Sequence, residues 1–198
     1  MKSLLFAGCA AFALFGGLAA DTRTDANNNT TSSNATASTQ QAHNAQQADV
    51  VHWYTWEQAA ELQKKEKRKI FVDVYTGWCG WCKRMDATTF SNPDIAKMLN
   101  EKYYAVKLDA EQKDDIVFQG HVFKYTKSGP GGYNELASSL LSDKMSFPTT
   151  VFLDEDYKLI QVLPGYQDAP IFKMIARYFG ENFYKKISWD DFQKQPNQ

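Results

Sequence analysis

The chain has 198 residues, and its 22 lysines and arginines almost balance its 23 aspartates and glutamates, which gives a formal net charge of −1. This balance leaves no large basic surface and argues against sequence-independent binding of nucleic acid. Hydrophobic residues make up 43% of the chain, enough for one core, while three cysteines are too few for a disulfide-stapled scaffold. A mean hydropathy of −0.50 argues against a polytopic membrane protein.

The N-terminal segment has the pattern of a targeting signal. Lys2 precedes an uncharged, largely apolar run over residues 3–20 that ends in small residues. This pattern predicts a secretory signal peptide over residues 1–20, and therefore a periplasmic or otherwise exported protein. Two alternatives stay open. The run is at the lower limit of the ~17–25 residues that span a bilayer, so it can also be an uncleaved anchor. The segment Phe-Ala-Gly-Cys ending at Cys9 resembles a bacterial lipoprotein box, which would tether the protein by lipidation.

Residues 21–49 consist almost entirely of Asn, Thr, Ser, Ala, Gln and Asp, without aromatic residues, Leu, Ile, Val or Pro. Such a segment cannot bury enough apolar area to offset the entropy lost on ordering. We therefore predict a disordered linker over residues 21–49 and a folded domain over residues 50–198.

Helices and strands alternate along the predicted domain. Thr55 and Gln58 form a capping box for a helix that extends to about residue 66. The pattern then predicts a buried strand (70–75), two helices (79–90 and 93–102), a strand (103–108), a hairpin around Gly120 (116–125), a loop (128–132), a helix (133–143), a strand pair (149–153 and 158–163) and a final helix (168–180). Together these elements indicate an α/β fold with a central mixed sheet.

Cys79 and Cys82 carry the chemistry of the sequence. Two residues separate them, and they stand where a buried strand leads into a helix. A thiol at a helix N-terminus lies near unpaired N–H groups and the positive end of the helix dipole, which favour the thiolate. Cys82 follows one turn later and can attack a mixed disulfide on Cys79. We therefore expect Cys79 to be the attacking nucleophile and Cys82 the resolving thiol.

Three other uses of this cysteine pair have less support. A zinc site needs about four ligands, and the three histidines of the chain form no pattern that completes one. Covalent haem attachment needs a histidine directly after the second cysteine, where Lys83 stands. A purely structural disulfide that closes so short a loop would stabilise little.

Residues 70–83 resemble the active-site segment of the thioredoxin superfamily. Their sequence is Ile-Phe-Val-Asp-Val-Tyr-Thr-Gly-Trp-Cys-Gly-Trp-Cys-Lys. Residues 85–93, Met-Asp-Ala-Thr-Thr-Phe-Ser-Asn-Pro, are similar to a branch of periplasmic thioredoxin-like proteins. That branch includes the C-terminal domain of the bacterial thiol:disulfide interchange transporter. The resemblance covers about residues 50–180 and implies a thioredoxin fold.

The resemblance assigns further site residues. Asp73 matches the buried acid of thioredoxins, whose raised pKa lets it exchange a proton with the resolving thiol. Pro148 matches the superfamily's cis-proline, which lies beside the two cysteines. A cis bond there would leave the Phe147 backbone free to pair with an extended substrate. Gly165 resembles the glycine that lines the substrate groove.

Trp78 and Trp81 are the predicted apolar rim around the sulfur atoms. Trp81 stands where thioredoxin itself has proline and where strong oxidants often have histidine, so nothing marks this chain as a strong oxidant. The segment from Ile116 to Gly132 is longer than the corresponding connection of thioredoxin. It either shapes partner specificity or covers an edge of the sheet.

We therefore predict an exported thiol–disulfide oxidoreductase that reduces disulfide-containing proteins at Cys79 and Cys82, with Asp73 handling the proton. No metal or organic cofactor is expected. An upstream electron donor, such as a membrane thiol–disulfide transporter, would have to reduce the cysteine pair again. Two alternatives stay open: a disulfide oxidase or isomerase, and a tethered peptide-binding or chaperone module of thioredoxin fold.

Overall fold

The computed structural model describes residues 50–128 and 131–195. The predicted signal peptide, including Cys9, and the predicted linker lie outside the described residues. Among the helices that are described, none combines the length and the apolar character needed to cross a bilayer.

The described chain alternates between strands and helices, as the sequence pattern indicates. The strands are β1 (Trp53–Tyr54), β2 (Lys69–Tyr75), β3 (Tyr103–Asp109), β4 (Ile116–Phe118), β5 (His121–Phe123), β6 (Tyr125–Ser128), β7 (Gly131–Asn134), β8 (Thr149–Leu153) and β9 (Leu159–Pro164). The helices are α1 (Trp56–Lys65), α2 (Gly80–Thr88), α3 (Pro93–Lys102), α4 (Glu135–Leu141), α5 (Ala169–Gly180) and α6 (Trp189–Gln193), with a 3₁₀ turn over Phe183–Lys185.

Five strands form one mixed sheet in the order β1-β3-β2-β8-β9. The central strand β2 is parallel to β3 on one side and antiparallel to β8 on the other. This arrangement, with helices on both faces, confirms the predicted thioredoxin fold. The central strand β2 ends at Tyr75, and the chain then leads directly to the cysteine pair at that end of the sheet.

Alternation along β2 divides the core into two layers. Phe71 packs on one face with apolar residues of α2, α3 and α5. Val72 and Val74 point to the opposite face, where residues of α1 and α4 cover the sheet. Since side chains two residues apart share a face of a strand, Asp73 lies on the same side as Phe71 and therefore on the side that α2 covers.

The local signals that start the helices act as predicted. Thr55 and Gln58 form both hydrogen bonds of the capping box of α1. Asn92 caps α3 by accepting hydrogen bonds from the backbone N–H groups of Asp94 and Ile95, with Pro93 at the first helical position. The predicted hairpin around Gly120 is also confirmed, because β4 and β5 pair in antiparallel register.

The predicted loop over residues 128–132 is wrong, because Gly131 and Gly132 belong to strand β7, which pairs with β6 in a second hairpin. Glycine is needed here for close approach of the strands. A Cβ on Gly132 would overlap the Tyr125 hydroxyl and come within 2.6 Å of the Thr126 carbonyl. The predicted helix 133–143 is correspondingly shorter, since the Asn134 side chain caps it and holds its own backbone extended.

Three further elements have no counterpart among the predicted ones. The helix expected to be the last, α5, is followed by the 3₁₀ turn and by α6, whose Phe192 is fully buried in the same layer as Phe71. Strand β1 is only two residues long and pairs with β3. So short a strand has no periodicity that a sequence pattern can show.

Candidate active site

Cys79 and Cys82 lie at the junction between β2 and α2 and form a disulfide. Cys79 is the N-cap of α2, and its Sγ accepts a hydrogen bond from the backbone N–H of Cys82 at 3.0 Å. The Cys79 N–H in turn donates to the Thr76 carbonyl at 3.1 Å, which closes the turn between the strand and the helix. Both cysteines are buried.

This placement has a direct chemical consequence for the reduced form. The first N–H groups of a helix have no partner within the helix, and one of them points at Cys79 Sγ. A negative charge on this sulfur is favoured by that hydrogen bond and by the helix dipole. The cysteine pair is therefore arranged as thiol–disulfide exchange requires, with the N-terminus of α2 directed at Cys79 Sγ.

Asp73 is buried beneath this junction, with 1% of its surface exposed. Burial raises the pKa of Asp73 to about 6, and the nearby positive charge of Lys107 only partly opposes this shift. The Lys107 Nζ forms an ion pair with Asp73 Oδ2 at 2.7 Å, and among the described residues neither carboxylate oxygen of Asp73 has a hydrogen bond of normal geometry. A buried carboxyl that titrates close to neutral pH can both take up and release a proton there.

Lys107 connects this buried carboxyl to the surface. Its ammonium contacts Asp73 and also forms an ion pair with Asp86, which lies on α2 and is partly exposed. Three aromatic rings surround the ammonium at 4.8–5.4 Å: Trp53, Tyr75 and Phe90. Burial lowers the pKa of Lys107, but the charges and hydrogen bonds of the two aspartates outweigh this and leave its pKa above the ordinary value.

The peptide bond between Phe147 and Pro148 is cis, as the resemblance implies. Gly165 lies beside it, because its N–H donates to the Pro148 carbonyl at 2.8 Å. Gly165 has a φ of +93°, a backbone conformation that side-chain-bearing residues rarely adopt. The loop after β9 is thus held against the segment that precedes β8.

Two exposed tryptophans form separate rims around the disulfide. Trp78 packs edge-on against Phe147, with ring centroids 5.9 Å apart, and its Nε1 donates to a Glu111 carboxylate oxygen at 3.0 Å. Trp81 packs against Tyr166, with ring centroids 5.4 Å apart. Trp78 is 66% exposed and Trp81 57%, so neither belongs to the core.

The structure thus gathers most of the predicted site residues at one end of the sheet. Contacts join Trp78 to Phe147 and Pro148 to Gly165, and a disulfide joins the two cysteines. Asp73 is in the layer beneath. Five residues that the sequence analysis does not single out also belong to this region: Arg84, Asp86, Lys107, Glu111 and Tyr166.

The helical spacing between Trp81 and Arg84 is a signal that could have identified Arg84, because residues three apart share a helix face. Lys107 and Tyr166 have no such local signal. Lys107 reaches Asp73 through the pairing of β2 with β3, and Tyr166 reaches Trp81 through the loop between β9 and α5. In the part of the chain that the structure describes, no three His, Cys, Asp or Glu side chains are grouped so as to hold a metal ion.

Residues 33–182 match a family model described as "Thioredox_DsbH: Protein of unknown function, DUF255". The match covers the cysteine pair, Asp73, Pro148 and Gly165, and it begins within the predicted linker.

Curated relatives are similar over about half of the chain or less. The rat "Spermatogenesis-associated protein 20" is 36% identical over 95 residues, which is 48% of this chain and 11% of that protein. An uncharacterized protein of Archaeoglobus fulgidus is 31% identical over 58 residues, 29% of this chain and 46% of that protein. This chain therefore spans only about a tenth of the length of the first of these relatives.

Solved structures with a similar fold include a "DsbH Oxidoreductase", with a TM-score of 0.49 and 14% identity, covering 79% of this chain and 95% of that one. A thioredoxin from Thermus thermophilus has a TM-score of 0.49 and 17% identity, covering 75% of this chain and 98% of that one.

Proposed function

The chain belongs to the thioredoxin-like DsbH family (DUF255), and from that premise we propose that it is a thiol–disulfide oxidoreductase that reduces protein disulfides at Cys79 and Cys82. The observation that carries the proposal is the hydrogen bond from the Cys82 N–H to Cys79 Sγ at the N-terminus of α2. This contact would stabilise a Cys79 thiolate once the pair is reduced.

The first step is attack of the Cys79 thiolate on one sulfur of the substrate disulfide. A new bond forms between Cys79 Sγ and that sulfur, the substrate S–S bond breaks, and the other substrate sulfur leaves as a thiolate that takes a proton from solvent. The product is a mixed disulfide between substrate and protein. An extended substrate would pair with the backbone at Phe147.

The second step regenerates the disulfide. The Cys82 thiol loses its proton to the Asp73 carboxylate, which is mostly ionised at pH 7 because its pKa is about 6. The Cys82 thiolate then attacks Cys79 Sγ, the bond between Cys79 Sγ and the substrate sulfur breaks, and that sulfur leaves as a thiolate that takes up a proton. Asp73 releases its own proton to solvent and is again a carboxylate. Two electrons have passed from the dithiol to the substrate, and the Cys79–Cys82 disulfide is restored.

The cycle needs a dithiol donor that reduces the pair again. We propose that the domain works outside the cytoplasm and that a membrane thiol–disulfide transporter is this donor, on the strength of the signal-like residues 1–20. Expression of the full chain with a C-terminal tag, followed by fractionation and mass measurement of the mature form, tests the export. Recovery in the cytoplasm at the full-length mass would contradict it.

Reduction of insulin disulfides with dithiothreitol as donor tests the activity. We expect the wild-type domain to accelerate the reaction, Cys79→Ser to abolish it, and Cys82→Ala to accumulate a mixed disulfide with the substrate. The peptide-binding module is favoured instead if the wild type reduces no disulfide and the Cys79→Ser variant still binds unfolded peptides. The equilibrium potential with glutathione separates reductant from oxidant. We expect a value near ~−270 mV, and one near ~−120 mV would identify a disulfide oxidase.

A further inference from the structure

One exposed stripe of α2 lies beside the disulfide and has no part in the mechanism above. Trp81, Arg84 and Thr88 are spaced by three and four residues and therefore share a face of the helix. All three are exposed. Tyr166 lies across this stripe, with its ring 5.4 Å from that of Trp81 and its hydroxyl 3.0 Å from Thr88 Oγ1. We refer to Trp81, Arg84 and Tyr166 as the arginine rim.

The guanidinium of Arg84 is held by both aromatic rings of this rim. Its Cζ lies 5.5 Å from the Trp81 ring centroid and 5.9 Å from that of Tyr166. In residues 50–128 and 131–195, the arginine–carboxylate ion pairs are those of Arg68 and Arg177, so Arg84 has no acidic partner there. A stacked guanidinium keeps its charge and its fork of N–H donors, which match a carboxylate in geometry.

The arginine rim borders the surface along which the proposed substrate would lie. Trp81 stands between the two cysteines in sequence, and Tyr166 directly follows Gly165, whose N–H is bonded to the Pro148 carbonyl. The opposite rim carries the carboxylate of Glu111, bonded to Trp78. Arg84 therefore places a cation next to Trp81, and Glu111 places a carboxylate next to Trp78.

We propose that Arg84 determines substrate specificity, by binding the carboxylate of an Asp or Glu side chain that flanks the reacting cysteine of an extended substrate peptide. This inference rests on the proposed function and names the substrate class of the same site. An acidic residue at that position gains an ion pair with Arg84, and a basic one meets like charge. Arg84 is a specificity residue in this account and takes no part in the bond exchange itself.

Matched peptide disulfides test the proposal. We compare kcat/KM for three peptides that are identical except for a Glu, Gln or Lys beside the disulfide-bonded cysteine. One set of peptides has this variable residue before the cysteine, and a second set has it after the cysteine. For one placement we expect the Glu peptide to react about two- to fivefold faster than the Gln peptide, the range of an exposed ion pair, and the Lys peptide to react slowest. The preference should shrink at high ionic strength.

Variants of Arg84 separate charge from packing. Arg84→Gln should abolish the preference, Arg84→Lys should retain most of it, and Arg84→Glu should reverse it in favour of the Lys peptide. Lys83→Gln is the matched control, because it removes one positive charge from the same helix without touching the aromatic rings, and it should keep the wild-type preference. Thermal unfolding of each variant checks that the fold is intact.

Several outcomes would overturn the proposal. If Arg84→Gln slows all three peptides equally, Arg84 serves only to pack Tyr166 against α2. If glutathione disulfide, a small disulfide with free carboxylates, is reduced faster than the Glu peptide in an Arg84-dependent way, the ligand is a small molecule and not an extended peptide. If the wild type reduces no disulfide at all, the proposed function itself is wrong, and Arg84 then has no substrate to select.

Discussion

Lys107 and Asp73 are register partners in the parallel pairing of β2 with β3, and the Lys107 ammonium lies 2.7 Å from Asp73 Oδ2. The pairing places a cation against the buried carboxyl of Asp73, on the side of β2 that α2 covers. Even so, the pKa of Asp73 stays raised, at about 6, because burial outweighs the attraction of Lys107. The charge state of Asp73 near neutral pH is therefore governed by two opposing effects, and each can be changed separately.

Asp73→Asn should stabilise the domain at high pH. Because the folded-state pKa of about 6 lies above the ordinary value of 3.8, folding disfavours the carboxylate, and stability falls as pH rises between these two values. Asn resembles the protonated carboxyl and removes this loss. At about 1.4 kcal/mol per pKa unit, we expect a gain of up to about 3 kcal/mol in the free energy of unfolding at pH 8. Urea denaturation at several pH values measures it.

The same variant carries an internal control, since the gain should vanish near pH 3.5, where the wild-type carboxyl is protonated in both states. Activity should change in the opposite direction from stability. Without a proton acceptor for Cys82, resolution of the mixed disulfide should slow by about 10²-fold, the low end of the effect of a general base. A gain in stability that is equal at pH 3.5 and pH 8 would show that folding does not raise the pKa of Asp73.

Lys107→Met should raise the pKa of Asp73 above about 6, because it removes the charge that favours the carboxylate. The midpoint of the Asp73 carboxyl signal in a ¹³C NMR titration measures this directly. Lys107→Arg keeps the charge and should leave the midpoint near its wild-type value. A midpoint that falls in Lys107→Met would mean that the ammonium acts on Asp73 mainly through the packing of its three aromatic neighbours.

The sequence predicts those elements of the fold that are set by contacts between residues close together in the chain. The capping box at Thr55 and the Asn92–Pro93 start fix helix N-termini through contacts within four residues. The apolar run of β2 is typical of a strand buried on both faces. By contrast, Gly131 and Gly132 look like loop residues in sequence, and only the approach of β6 shows why glycine stands in a strand.

The residues of the candidate site also fall into two groups, those that the sequence predicts and those that it does not. The spacing of Cys79 and Cys82 and the apolar strand before them are visible in the sequence, so the centre of the site can be predicted. Lys107 and Tyr166 cannot, because each reaches the site from a distant part of the chain through strand pairing or through a loop. Partners that meet only through tertiary packing leave no spacing pattern.

Gly132→Ala should destabilise the domain, whereas Gly131→Ala should not. A Cβ on Gly132 overlaps the Tyr125 ring and the Thr126 carbonyl, and a Cβ on Gly131 meets nothing within 4 Å. Overpacking of this kind costs about 1–3 kcal/mol. Thermal or urea unfolding of the two variants gives a matched comparison, since both change one glycine of β7 to alanine. Equal stability would mean that the β6–β7 hairpin opens without affecting the rest of the domain.

The hydrogen bond between Trp78 and Glu111 should orient the rim on that side of the disulfide. Glu111→Ala removes the acceptor of the Trp78 Nε1–H, and Glu111→Gln keeps an oxygen acceptor at the same distance from the backbone. A single exposed hydrogen bond contributes about 0.5–1.5 kcal/mol. We therefore expect Glu111→Ala to raise KM for peptide disulfides about two- to tenfold and to leave kcat nearly unchanged. Glu111→Gln should have a KM close to that of the wild type. Steady-state kinetics and the fluorescence anisotropy of the exposed tryptophans measure both effects. If Glu111→Gln and Glu111→Ala raise KM equally, the negative charge of Glu111, and not its hydrogen bond to Trp78, is what the substrate senses.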